Sequence, residues 1–260
     1  MITTQFCKDF PKSIELFNLI QEKIITMNPE EVKAIYSTWS NNYDNNEKHN
    51  DKVLDVDRIN PSILTEKNRS NGSLFGIDFP SWFGDYNSGK RIMIVGIDPL
   101  RNEVAFKNSD KKNNVIIGTP YGFHNSATPK VKKYAFAKQL SEKNFIYLTD
   151  IFKIYFKLDK GARRSYDIFS EEKNHFRLIL LKELEIINPD LIISLGHLAD
   201  FFFKSIIKQT DIAYKNLKHP SARPNILLKF LTDEGQKEST KHDDIKSSYS
   251  NIINNILLKK

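Results

Sequence analysis

The sequence is poor in cysteine and in long apolar runs, and each shortage excludes a class of protein. One cysteine, Cys7, among 260 residues cannot build a disulfide framework, a four-cysteine zinc site or a cysteine-ligated iron–sulfur cluster. No apolar run approaches the roughly 18 residues that a membrane-spanning helix needs, and no apolar segment follows a basic N-terminus as in a secretory signal. We therefore expect a cytoplasmic protein that does not bind membranes, with a core drawn from its 40% hydrophobic residues.

Positive charge is concentrated in one segment. The chain has 39 Lys and Arg against 32 Asp and Glu, a net charge of +7. Residues 130–164 hold ten basic residues and three acidic ones, so this basic segment carries the whole excess. Such a segment favours a polyanionic partner, and Lys153, Arg163 and Arg164 are its candidate contacts. A lysine-rich face turned to solvent is the alternative.

Residues 12–40 carry apolar positions at helical spacing, and Pro29 can start a second helix, so residues 1–60 are predicted to form a helical N-terminal extension. Residues 41–60 are rich in Asn, Asp and Lys, and we expect a polar connection there.

From residue 91 onward, short apolar runs alternate with helical patterns. The runs are rich in Ile, Val and Tyr and lie at 91–96, 145–150, 190–196 and 212–219. The helical patterns lie at about 130–143, 172–188, 197–208, 224–231 and 244–258. This alternation predicts a three-layer α/β/α fold with a central, mainly parallel four-stranded sheet. We expect one domain over residues 1–260, with its core at 75–231.

Polar residues follow three of these predicted strands. Gly96-Ile97-Asp98-Pro99 follows the first, Thr149-Asp150 ends the second, and His219-Pro220-Ser221-Ala222-Arg223 follows the fourth. Functional residues of parallel sheets gather at the carboxyl ends of the strands, so two acids and a histidine should converge on one edge. Taken singly, each has a plainer explanation, since Asp98 could stabilise a turn and His219 could cap the last helix.

Together, these motifs resemble the motif pair of the uracil-DNA glycosylase superfamily. Gly118-Thr119-Pro120-Tyr121-Gly122-Phe123 is similar to the segment that carries the aromatic residue stacking on an extruded base. Tyr147-Leu148-Thr149-Asp150 is similar to the strand end that reads the edge of that base. The resemblance covers residues 75–231, and the His-Pro-Ser-x-Arg ending is most similar to the single-strand-selective monofunctional branch.

The resemblance implies a role for each motif residue. Asp98 resembles the acid that positions water and stabilises the sugar cation, and His219 the histidine that donates to the departing base. Phe123 would stack on the base, with a core phenylalanine as the alternative, and Gly96, Tyr121 and Asp150 would line the base site. Ser221 and Arg223 would contact DNA, with Arg223 either entering the duplex or binding phosphate.

Three departures from the family pattern affect the expected substrate. Leu100 stands where other branches have tyrosine or glycine as the gate against a 5-methyl group. Asp150 stands where the family usually has asparagine, and an ionised carboxylate can accept but not donate a hydrogen bond. We expect burial beside Asp98 to raise the pKa of Asp150, so that its neutral form imitates the amide. Residues 101–115 form a polar insertion.

The resemblance implies a monomeric, monofunctional DNA glycosylase that hydrolyses the N-glycosidic bond of uracil or a related damaged base in single- or double-stranded DNA. No metal and no organic cofactor are expected. A non-catalytic nucleic-acid-binding module on the same fold is one alternative, although a binder needs neither Asp98 nor His219. A doubly wound enzyme acting on a small nucleotide is another, although the chain has no G-x-G-x-x-G and no phosphate-binding loop motif.

Overall fold

The computed structural model describes residues 5–45, 52–63, 73–99, 114–125, 132–157, 173–207 and 211–258. Two helices come first, α1 (Ser13–Lys23) and α2 (Pro29–Asn45). Pro29 occupies the first turn of α2, where a missing N–H costs nothing. The N–H of Glu31 donates to Asn28 Oδ1 at 2.8 Å and the N–H of Asn28 donates to Glu31 Oε2 at 2.9 Å, which caps the helix reciprocally.

Strands supply a large part of the remaining core. Within the described residues they are β1 (Lys52–Asp55), β2 (Ser73–Asp78), β3 (Ser81–Phe83), β4 (Arg91–Gly96), β5 (Asn114–Gly118), β6 (Phe145–Asp150), β7 (Ile154–Lys157), β8 (Leu191–Leu195) and β9 (Ala213–Leu217). They form two sheets.

The larger sheet contains all four predicted strands. Its order is β3-β6-β4-β8-β9, and β6, β4, β8 and β9 run parallel. The prediction of a four-stranded sheet needs correction, because β3 adds an antiparallel edge strand and makes the sheet five-stranded and mixed. Three residues are too few for a period-2 pattern, so the sequence gives no strand signal there.

A second sheet, of order β1-β5-β2-β7, was not predicted. It includes β1, which pairs antiparallel with β5 inside the segment predicted to be a polar connection. The supposed insertion at residues 101–115 also ends in this sheet, because Asn114 and Val115 begin β5. The rest of that insertion and Leu100 lie outside the described residues.

Five further α-helices lie within the described residues. They are α3 (Phe136–Leu140), α4 (Lys173–Ile187), α5 (His197–Ile206), α6 (Pro224–Asp233) and α7 (His242–Leu258). The predicted helix at 130–143 is thus only five residues long where it is regular. Strands β6 and β8 are buried along their whole length, as expected for strands covered on both faces. No helix in the described ranges is long and apolar enough to cross a membrane.

Asp190, which precedes β8, joins the starts of β4 and β8 in the larger sheet. Its carboxylate accepts a hydrogen bond from the backbone N–H of Arg91 at 2.9 Å, and Lys90 Nζ lies 3.4 Å away. The N–H of Asp190 donates to the Arg91 carbonyl at 2.8 Å. These contacts align the starts of β4 and β8, so that both strands end at the same opposite edge.

Candidate active site

The ends of β4 and β6 bring two candidate residues into direct contact. Gly96 is the register partner of Asp150, and the Asp150 side chain crosses over it. A Cβ on Gly96 would lie 2.1 Å from Asp150 Oδ1 and 3.0 Å from Tyr121 Oη. Any residue other than glycine would therefore displace this carboxyl or this hydroxyl.

The loops that leave β4 and β6 run side by side. The N–H groups of the two residues after Asp150 donate to the carbonyls of Gly96 and Ile97, each at 3.0 Å. Asp98 is the next residue along and is half-buried, whereas Asp150 is only 3% exposed. The structure thus places the two predicted acids near each other, Asp98 in the loop after β4 and partly open to solvent, and Asp150 at the end of β6 and enclosed.

Tyr121 is positioned by a tight turn after β5. The N–H of Thr119 donates to His124 Nδ1 at 3.0 Å, and the N–H of His124 donates to Thr119 Oγ1 at 3.0 Å. Between them Tyr121 adopts a φ of 62°, followed by Gly122 at 78°. A left-handed tyrosine is uncommon, and the two reciprocal bonds hold it.

His219 lies two residues beyond β9, close to the Tyr121 ring. The ring centroids of Tyr121 and His219 are 6.4 Å apart. The N–H of Ser221 donates to His219 Nδ1 at 3.2 Å, so this nitrogen carries a lone pair. The neutral imidazole therefore has its proton on Nε2, which can act as a hydrogen-bond donor.

Tyr134 completes the site and was not predicted. Its ring stacks on Tyr121 with centroids 4.2 Å apart and planes inclined by 22°. Its hydroxyl lies 3.1 Å from Ser221 Oγ and 3.4 Å from His219 Nε2. An aromatic residue within the basic segment was the available signal, but spacing alone did not relate it to the strand ends.

Both tyrosine hydroxyls stay protonated in the ordinary pH range. Burial raises the pKa of Tyr121 well above its usual value, and an ionised Asp150 would raise it further. Burial also raises the pKa of Tyr134 to about 12, against a lowering by the hydrogen bond with Ser221. The site can therefore offer hydroxyl donors as well as the Nε2 proton.

The position of Phe123 corrects one prediction. Its ring is completely buried, 5.0 Å from the ring of Phe83 and 6.5 Å from that of Phe6, measured between centroids. An enclosed ring offers no face to a base, so Phe123 belongs to the core. Within the same segment, Tyr121 is the aromatic residue that reaches the strand ends.

The position of Lys153 corrects a second prediction, that this lysine contacts DNA. It is fully buried, and its Nζ donates to Glu183 Oε2 at 2.8 Å, to the carbonyl of Asp150 at 2.7 Å and to Thr149 Oγ1. Glu183, on α4, also accepts from Tyr147 Oη at 3.1 Å. Lys153 therefore cannot contact DNA; it holds the end of β6 from within the fold.

The other predicted DNA contacts have different outcomes. Ser221 and Arg223 are exposed beside His219, and Arg223 immediately precedes α6. Arg163 and Arg164 lie outside the described residues. Of the basic segment, Lys132 is exposed close to Tyr134, so part of the positive charge borders the site.

Comparison with known proteins agrees with this geometry. The sequence matches no curated protein. The family model of the Uracil DNA glycosylase superfamily matches residues 83–237, which is more than half of the chain and includes the ends of β4, β5, β6 and β9. On this evidence the chain belongs to the Uracil DNA glycosylase superfamily.

Proposed function

We propose that the protein is a monofunctional DNA glycosylase that hydrolyses the N-glycosidic bond of uracil or a related damaged base in DNA, acting as a monomer without a metal or organic cofactor. One observation carries the proposal. The Tyr121 hydroxyl lies against the Gly96–Asp150 contact, and the centroid of its ring is 6.4 Å from that of His219, with the ring planes inclined by 54°. A base stacked on this ring would lie between a carboxyl group and an N–H donor.

Cleavage breaks the bond between C1′ and the base nitrogen, and its electron pair leaves with the base. Negative charge then grows on the base, where the Nε2 proton of His219 can stabilise it without reorganisation. Positive charge grows on the sugar, where the half-buried carboxylate of Asp98 can stabilise it and orient water. The water oxygen bonds to C1′, and the proton that the water loses ends on the departing base, so that OH goes to the sugar and H to the base.

Asp150 would read the edge of the base. As a neutral acid it has one donor and one acceptor and can match both N3–H and O4 of uracil, whereas an ionised carboxylate opposes O4. Its near-complete burial disfavours the ionised form. We therefore propose that uracil is read by neutral Asp150, in place of the asparagine usual in the family.

The activity is tested with end-labelled oligonucleotides carrying uracil, hypoxanthine, xanthine or 5-substituted uracils, followed by alkaline cleavage at abasic sites. We expect Asp98→Ala and His219→Ala each to lower single-turnover cleavage by on the order of 10²-fold or more, with oligonucleotide affinity nearly unchanged. Asp233→Ala and His242→Ala are matched controls outside the site. Binding without cleavage of any base would favour the non-catalytic module.

Base reading by Asp150 is tested separately. We expect wild-type activity on uracil to fall as pH rises, and Asp150→Asn to retain activity while losing this alkaline decline. If the wild type ignores uracil at every pH while Asp150→Asn cleaves it, Asp150 is ionised and the natural substrate is another base. If neither protein cleaves uracil and the variant binds DNA normally, Asp150 does not read the base.

A further inference from the structure

The base site is filled in the free protein. Asp150 is 3% exposed and Tyr134 is 6% exposed, and the Tyr121 hydroxyl is buried. A base can reach the Asp150 carboxyl only if a side chain moves. The rings of Tyr121 and Tyr134 stack on each other at this point, so one of the two side chains must move when a base enters.

Tyr121 is held by its backbone. The reciprocal bonds between Thr119 and His124 fix the turn, and the N–H of Gly122 donates to the Thr119 carbonyl at 2.9 Å. Tyr134 is held by its side chain instead. It lies in the turn before α3, and its polar contacts are those of one hydroxyl group. Rotation of the Tyr134 side chain breaks fewer contacts than rearrangement of the Tyr121 turn.

The contacts of Tyr134 are those that an extruded base would make. Its planar ring stacks on Tyr121 with the planes inclined by 22°, and its oxygen lies 3.4 Å from His219 Nε2. An ionised Asp150 would raise the pKa of Tyr134 as well as that of Tyr121, so its carboxyl group lies near both rings. Stacking, the His219 donor and proximity to Asp150 are three features that the proposed mechanism assigns to the base.

We propose that Tyr134 occupies the position of the base in the free protein, and that a base enters the site by displacing it. This inference rests on the proposed function for the identity of the site. Tyr134 then acts as a specificity-determining residue, because a base must make better contacts with Tyr121, Asp150 and His219 than the tyrosine does. Normal bases that match the Asp150 edge poorly are rejected before chemistry.

The experiment compares binding of two oligonucleotides, one carrying non-cleavable 2′-fluoro-deoxyuridine and one carrying a tetrahydrofuran abasic site. Their affinity ratio isolates the contribution of the base. We expect Tyr134→Ala to raise the preference for the uracil oligonucleotide on the order of tenfold, because the stacked ring and its hydrogen bonds no longer compete. Tyr134→Phe keeps the ring and should raise it about fivefold or less. Affinity for the abasic oligonucleotide should stay unchanged.

Tyr86→Phe is the matched control, since it removes the hydroxyl of another partly buried tyrosine, which donates to the Ile187 carbonyl at 3.3 Å near the starts of β4 and β8, at the opposite edge of the sheet. It should leave the ratio unchanged, and thermal melts report any loss of folding. If the wild type excises uracil but Tyr134→Ala lowers the affinity ratio, Tyr134 stays in place and stacks on the base. That result overturns this inference and leaves the activity assignment intact. If no base is excised but Tyr134→Ala raises the ratio, displacement stands and the activity assignment falls.

Discussion

The buried ion pair between Lys153 and Glu183 makes the end of β6 sensitive to a one-atom change. Glu183→Gln replaces one carboxylate oxygen by an amide nitrogen and keeps an acceptor for Tyr147 and Thr149. The Lys153 ammonium then lacks a counter-charge while both positions are at most 1% exposed. The consequence is an uncompensated charge in the core.

Removing one partner of a buried ion pair costs roughly 3–5 kcal/mol. For a chain of this size, about 1 kcal/mol lowers Tm by 2–4 °C, so we expect Glu183→Gln to melt roughly 6–20 °C below the wild type. Lys153→Met should show a loss of similar size, because it leaves the carboxylate buried instead. The double variant removes both charges, and we expect it to recover more than half of the loss.

The assay is a double-mutant cycle of urea unfolding at pH 7, supported by calorimetric melts. Single-turnover cleavage is measured on the same proteins, because Lys153 Nζ also binds the Asp150 carbonyl. We expect the double variant to regain stability without regaining full activity. Strictly additive losses in the two single variants would refute the reasoning, since they would mean that the two charges do not interact.

Three further predictions follow from other contacts. Gly96→Ala should lower cleavage at least 10²-fold with a stability loss of only about 1–3 kcal/mol, because its Cβ displaces the Asp150 carboxyl; wild-type cleavage would contradict the close approach. Lys132→Ala should make the slope of log affinity against log salt concentration shallower by about one unit, because one phosphate contact is lost. Lys229→Ala, at an exposed position on α6, should leave that slope unchanged. Partial burial alone would raise the pKa of Asp190, but the hydrogen bond from the Arg91 backbone N–H and the nearby cations outweigh it and hold the pKa below its ordinary value. Ionised Asp190 therefore stabilises the fold at any pH above its pKa in the unfolded chain, and this stabilisation is lost as the pH falls through its pKa in the folded protein. Asp190→Asn should accordingly lower the free energy of unfolding at pH 7 and not near pH 2.

The sequence by itself determined the parallel part of the larger sheet. Continuous apolar runs such as Arg91–Gly96 and Phe145–Asp150 are typical of strands buried on both faces, and the structure places both strands at those bounds. Parallel strands end at one edge, so the convergence of the Gly96 loop, Asp150 and His219 followed from the order of the elements. These features depend on local pattern and on general rules of topology, both of which a single sequence carries.

Only the tertiary structure decided which way individual side chains point. Phe123 and Tyr121 are two residues apart, and a left-handed turn sends one ring into the core and the other to the strand ends. Lys153 has the composition of a DNA contact, but its partner Glu183 lies 30 residues away and draws it into the interior. Tyr134 meets His219 across 85 residues. Such contacts depend on how distant segments pack, and neither residue type nor spacing along the chain encodes that packing locally.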